Sequence, residues 1–177
     1  SARPGEHWRA AGHPARAIDP LLAELQARRT AGDISTAGYL LRAVRIALDA
    51  AGIPRTDPRR GTALSHEVWL CSTSTSPAAA LVAAQAELAW ALENGSLELE
   101  MEARCRAVAA RNQLGDPTDG LPELWRAWDA VREHAAFRIG GSVGNMLTAE
   151  LRNRGAFKEA TGVARAFLER AEAAGNA

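Results

Sequence analysis

The chain has 177 residues, 47 % of them hydrophobic and only 5 % aromatic, and its 21 basic and 21 acidic side chains cancel. That length suits one domain or one repeat array with a sizeable core. The balanced charge excludes a chain drawn as a whole to nucleic acid or an anionic membrane. Two cysteines, Cys71 and Cys105, are too few for a disulfide framework. With no run of transmembrane length and no signal-peptide pattern, the expected location is cytoplasmic.

In chain order, the segment from Ser1 to His13 reads as the remnant of a preceding helix, ended by His13-Pro14 because Pro disfavours helix at the residue before it. A first full helix is expected over 15–31, with Ile18, Leu21, Leu22 and Leu25 at helical spacing and Pro20 as a possible true first turn. Gly32-Asp33 stops it and caps a second helix that runs to Ala51. The loop 52–61 is the longest; its Arg55, Arg59 and Arg60 are candidate contacts for an anionic partner. A third helix follows over 62–72 and a fourth over 78–93, led by Ser76-Pro77 and ended by Asn94-Gly95. The fifth spans 97–113, with Gly115-Asp116-Pro117 as its stop and the next cap. The sixth covers 121–134, the seventh 142–153 behind a loose Gly140-Gly141 turn, and the eighth 158–174. No strand pattern of period two is long enough to matter.

Four columns recur at a forty-residue step: Leu41/Leu81/Leu121/Thr161, Val44/Ala84/Leu124/Ala164, Leu48/Leu88/Trp128/Leu168 and Ala51/Ala91/Val131/Ala171. All but Thr161 are apolar. A repeat of this length with two helices per unit is the signature of an α-solenoid. The expected fold is therefore all-α: one domain over residues 1–177, a right-handed solenoid of about four helix pairs. A compact up-and-down bundle is the competing arrangement.

At Gly155-Ala-Phe-Lys-Glu-Ala160 the chain resembles the tetratricopeptide family. Leu147 and Leu151 match the apolar sites of the family's first helix, Gly155 its turn and Ala160 its small site. Ala107, Gly115 and Gly120 match one unit earlier, where Arg111 takes an apolar site. Ala80 and Val68 match before that, and Gly32, Ala37, Leu41 and Val44 in the first unit. The step of forty exceeds the family's usual 34 or so. These longer units are similar to the repeat region of large bacterial LuxR-type ATP-dependent regulators. No Gly-x-x-x-x-Gly-Lys-Ser/Thr and no recognition-helix pattern accompanies them.

The resemblance implies a concave face on the first helices. Transferred by register, that face holds Ser65, Trp69 and Ser72, then Glu102, Cys105, Ala109 and Asn112, then Ser142, Asn145, Ala149 and Arg152. Asn112, Asn145 and Arg152 suit a peptide backbone or carboxylate, and Trp69 an apolar side chain. A hydrated groove with ordinary polar residues is the alternative. Trp125 shares its column with Arg45, Gln85 and Arg165 and is expected to face solvent or a partner, with half-burial over the 116–120 turn as the alternative, whereas Trp128 belongs to the core.

No catalytic set is expected. His66-Glu67 with Cys71 lacks the second His of a zinc motif, Leu70 standing in its place. Glu98, Glu100 and Glu102 suit the positive end of a helix dipole. The expected function is a non-catalytic binding domain of a bacterial regulatory protein. It would take a peptide, protein or small effector, without metal, cofactor, membrane or direct nucleic-acid contact. A dimerisation module, with two copies pairing, and a small all-α enzyme are the alternatives.

Overall fold

A computed structural model describes residues 4–73, 76–116, 119–132 and 137–173, with the backbone alone for Pro4 and 137–141. The described residues form nine α-helices and no strand: α1 Pro4–Ala10, α2 Pro14–Thr30, α3 Ile34–Ala50, α4 Pro58–Thr73, α5 Pro77–Asn94, α6 Leu97–Gln113, α7 Leu121–Val131, α8 Phe137–Asn153 and α9 Phe157–Ala173. None of them is long and apolar enough to cross a membrane.

Local chemistry sets the boundaries. The Asp33 carboxylate accepts the Thr36 backbone N–H at 3.1 Å and caps α3. Ser76 caps α5 through the Ala79 N–H. That helix ends on Gly95 at φ 66°, the left-handed conformation that a side chain would oppose. Four boundaries depart from the sequence expectation. Pro20 lies inside α2, which starts at Pro14, so Pro14 and not Pro20 fills the first turn. α4 begins at Pro58 because Asp57 accepts the Arg59 backbone N–H at 2.9 Å and grips its guanidinium as well. α7 ends at Val131, short of His134, and its start is held by Asp119, which accepts the Leu121 N–H, rather than by Asp116. Gly140-Gly141 is no loose turn, because the backbone there already belongs to α8. Pro117, His134, Ala174 and the middle of the Ser72–Ser76 run fall outside the described residues.

Substantial packing among the described residues runs between helices one or two places apart. Each helix lies on the next, and α2 on α4, α4 on α6 and α6 on α8. The core follows suit as three successive clusters. One joins α2, α3 and Ala63 of α4; a small one joins Val68, Ala83, Ala84 and Ala107; the third joins α6 to α9 around Leu124, Trp128, Leu147 and Leu151. The accessible surface is 9752 Å², against about 8300 Å² for a compact protein of this mass.

The forty-residue columns are buried or half-buried through three units. Val44, Ala84 and Leu124 are each 0 % exposed, and Leu48 and Trp128 are buried. In α9 three of the four columns are open, with Thr161 and Ala164 exposed and Leu168 55 % exposed, and only Ala171 of the fourth is buried. That helix otherwise packs through Ala160, Val163 and Phe167. Among the described residues no further helix follows to cover its other side.

Trp128 is buried where α7 and α8 approach closely; a Cβ on Gly144 would come within 2.9 Å of its ring. Trp125 is half-buried against the same cluster, not free toward solvent as its column suggests, because the Leu121–Val131 helix is short and flanked by α6 and α8. Urea denaturation is expected to show a loss of about 3–5 kcal/mol for Trp128→Ala. For Trp125→Ala a smaller loss of about 1 kcal/mol is expected. Equal losses would contradict this register.

Candidate functional site

The first helices of the four pairs, α2, α4, α6 and α8, face a cavity of about 480 Å³, closed at one end by Trp90 of α5. A second, shallower cavity of about 360 Å³ continues it between α6 and α8, sharing Glu102, Arg106 and Ser142. The lining follows the repeat step. Thr62, Glu102 and Ser142 form one row, Ser65, Cys105 and Asn145 a second, and Gln26, His66, Arg106 and Met146 a third, each at intervals of forty. Helices related by one unit thus turn corresponding positions to a common surface.

A polar chain crosses three of these helices. Arg29 donates to Ser65 Oγ at 3.3 Å and to Glu102 Oε1 at 3.3 Å, and Ser65 donates to Glu102 Oε2 at 3.4 Å. The Arg29 guanidinium also stands over the Trp69 ring, 5.8 Å from its centroid. The sequence-selected Ser65, Trp69 and Glu102 are therefore brought together, joined by an arginine that sequence reasoning passed over. Ser142 and Asn145 line the neighbouring cavity. Asn112 lies farther along α6 and donates to Glu150 of α8 at 3.2 Å. Arg152 is exposed near the end of α8, outside both cavities. Trp125, on α7, is half-buried against the core cluster and lines neither cavity.

Two nearby ionisable groups are buried, His66 in the lining and Glu87 outside it but within electrostatic reach of the lining residues Glu102, Arg106 and Arg29. His66 is 2 % exposed, and its Nδ1 has no hydrogen-bond partner among the described residues. Burial, helped by the Arg29 charge, lowers its pKa to about 4, so the ring is neutral near pH 7. Glu87 of α5 is 0 % exposed, and neither carboxylate oxygen finds a partner among those residues. Burial and the nearby Glu102 raise its pKa to about 8, against the pull of Arg106 and Arg29. Burial also pushes the Cys105 thiol up to about 12. All three groups sit in their uncharged forms. Glu87 was legible in principle, because its forty-residue column is otherwise Ala47, Ala127 and Phe167, an apolar set containing one acid.

Glu67 and Cys71, one turn apart on α4, share a neighbourhood with Arg45, which donates to Glu67 at 2.7 Å, while His66 lines the cavity; among the described residues no group of three ligating side chains could hold a metal. Of the loop arginines, Arg59 is held by Asp57, while Arg60 binds Asp49 and the carbonyls of Ile53 and Pro54. Those two are occupied in the fold and not displayed to a partner. Comparison with protein-family models, curated proteins and solved structures finds no match for this chain.

Glu87 carries a stability consequence. Its folded pKa exceeds the unfolded value of 4.5, so the native state holds an extra proton between that value and about 8, and stability falls as pH rises through this window. Glu87→Gln keeps the shape and removes the ionisation. Thermal melts are expected to show the variant gaining on the parent from pH 5 to pH 8.5, by roughly 2–4 °C for each kcal/mol. A gain that is constant with pH would contradict the buried, protonated acid.

Proposed function

We propose that the chain is a non-catalytic binding domain of a bacterial regulatory protein, a right-handed helical-repeat array of four pairs similar to the tetratricopeptide family. It takes a peptide, protein segment or small effector in the groove of its first helices. The observation that carries this reading is the lining itself: three rows of residues at forty-residue steps, from α2 to α8, converge on one continuous depression. Solenoids present such faces to ligands because each unit adds the same positions to the same side. The excess of surface over that of a compact protein of equal mass supports an open array over a closed bundle. The Cys105 thiol, pushed up to about 12 by burial, supports holding a ligand over nucleophilic attack on it.

Thermal-shift screening against tripeptides and small polar effectors is the direct test. At least one compound is expected to raise the melting temperature and to be recovered chemically unchanged. Its effect is expected to vanish in Ser142→Trp, which fills the groove from an exposed position. Turnover of the compound, or binding indifferent to that substitution, would overturn the reading.

A further inference from the structure

Deepening the groove reading, and resting on it, the chemistry of the larger cavity selects among ligands. Its two ends differ. At one end, Arg106 makes no hydrogen bond or salt bridge among the described residues, although it lines both cavities beside the exposed Ser142. Every other arginine bordering the larger cavity is engaged, Arg29 being held by Glu102 and Ser65. At the other end, the ring of Trp90 and the Leu99 side chain meet over Gly61, where a Cβ would approach them within 2.5 and 2.7 Å. The missing side chain at 61 is what lets these two apolar groups close the cavity. Trp90 is held there by its indole N–H, which donates to the Arg55 carbonyl at 2.6 Å. Between the ends lies buried, neutral His66 with an unsatisfied Nδ1. Leu99 and Arg106 are two turns apart on α6, about 10 Å along its axis.

We propose that this cavity binds a small amphipathic carboxylic acid, its carboxylate on Arg106 and Ser142 and its apolar body against Leu99 and Trp90. A volume of about 480 Å³ lies within the range of small-molecule sites, about 300–1000 Å³. One unpaired guanidinium matches one negative charge and presents the fork that a carboxylate fits. A dianion such as phosphate gains less, because Glu98 and Glu102 share the lining and repel the second charge. A polar peptide strand does not match the apolar end that Trp90 closes.

Glu87 gives the site a pH signature. The charged groups acting on it are Glu102 and Arg106 of α6 and Arg29 of α2. While Glu87 is protonated, the field of Arg106 is left to the ligand. Once Glu87 ionises, above about pH 8, its carboxylate competes for that field and the ligand must bind against it. Affinity is therefore level up to neutral pH and falls above it.

Titration calorimetry with octanoate, octanamide, acetate and inorganic phosphate tests the proposal. Octanoate is expected to bind, with octanamide, acetate and phosphate at least about tenfold weaker. Arg106→Gln is expected to weaken octanoate by about tenfold or more while leaving octanamide unchanged, and Arg106→Lys to weaken it less. Arg42→Gln, an exposed arginine on α3, serves as the charge control and should change nothing. Between pH 7 and pH 9 octanoate affinity is expected to fall by up to about tenfold, and Glu87→Gln to abolish the fall. Equal binding of octanoate and octanamide, or of octanoate by the parent and by Arg106→Gln, overturns the proposal, and so does failure of octanoate to bind. A tripeptide that binds and is blocked by Ser142→Trp would, in that last case, leave the broader groove reading standing and remove this inference alone.

Discussion

The core of this fold depends on apolar side chains, mostly small or branched aliphatic ones, recurring at forty-residue steps on α3, α5 and α7. Val44, Ala84 and Leu124 are completely buried, and their neighbours Leu48 and Trp128 nearly so. Helix axes approach closely only where such residues face one another. Glycines do the same work at the tightest points, with Gly5 against Leu21, Gly61 against Trp90 and Gly144 against Trp128. The buried residues fall into three successive clusters along the chain. The first helices are left to form a surface of their own. The groove is thus a consequence of the packing rule, and its polar rows inherit the same step.

The core behind that groove departs from the rule in one place. Glu87 occupies a column of alanines and a phenylalanine and has no hydrogen-bond partner among the described residues for either oxygen. A buried acid without partners costs stability unless it stays protonated. Its retention between Arg106, Arg29 and Glu102 links the core to the charge state of the cavity wall. His66, one helix away, is neutral for the same reason of burial.

Helices and their periodic faces were legible from the sequence, because capping residues such as Asp33 and Ser76 and the glycine stops mark the ends by local chemistry. The misplaced starts of α4 and α8 have a physical source. At Pro58 a single carboxylate, Asp57, gives the extra turn its cap, and at Gly140-Gly141 low helix propensity is overridden by the chain's continuation into α8. In the groove, register alone selected Ser65, Glu102, Ser142 and Asn145, which line the two cavities. It could not find Arg29 or Trp90, because long side chains reach the cavity from positions whose partners lie in another unit. Arg29 binds Glu102 across a sequence separation of 73 residues. It misplaced Trp125 because polar neighbours in a column do not decide how much of a large ring the adjacent helices cover.

Solution X-ray scattering tests the central claim, an open array whose first helices line a groove, most directly. A closed bundle of 177 residues has a radius of gyration of about 16 Å and a symmetric pair-distance distribution. The array described here should give a monomer with a larger radius and a distribution tailing to long distances, in keeping with its 9752 Å² of surface. A symmetric distribution with the compact radius would contradict the array and the groove together.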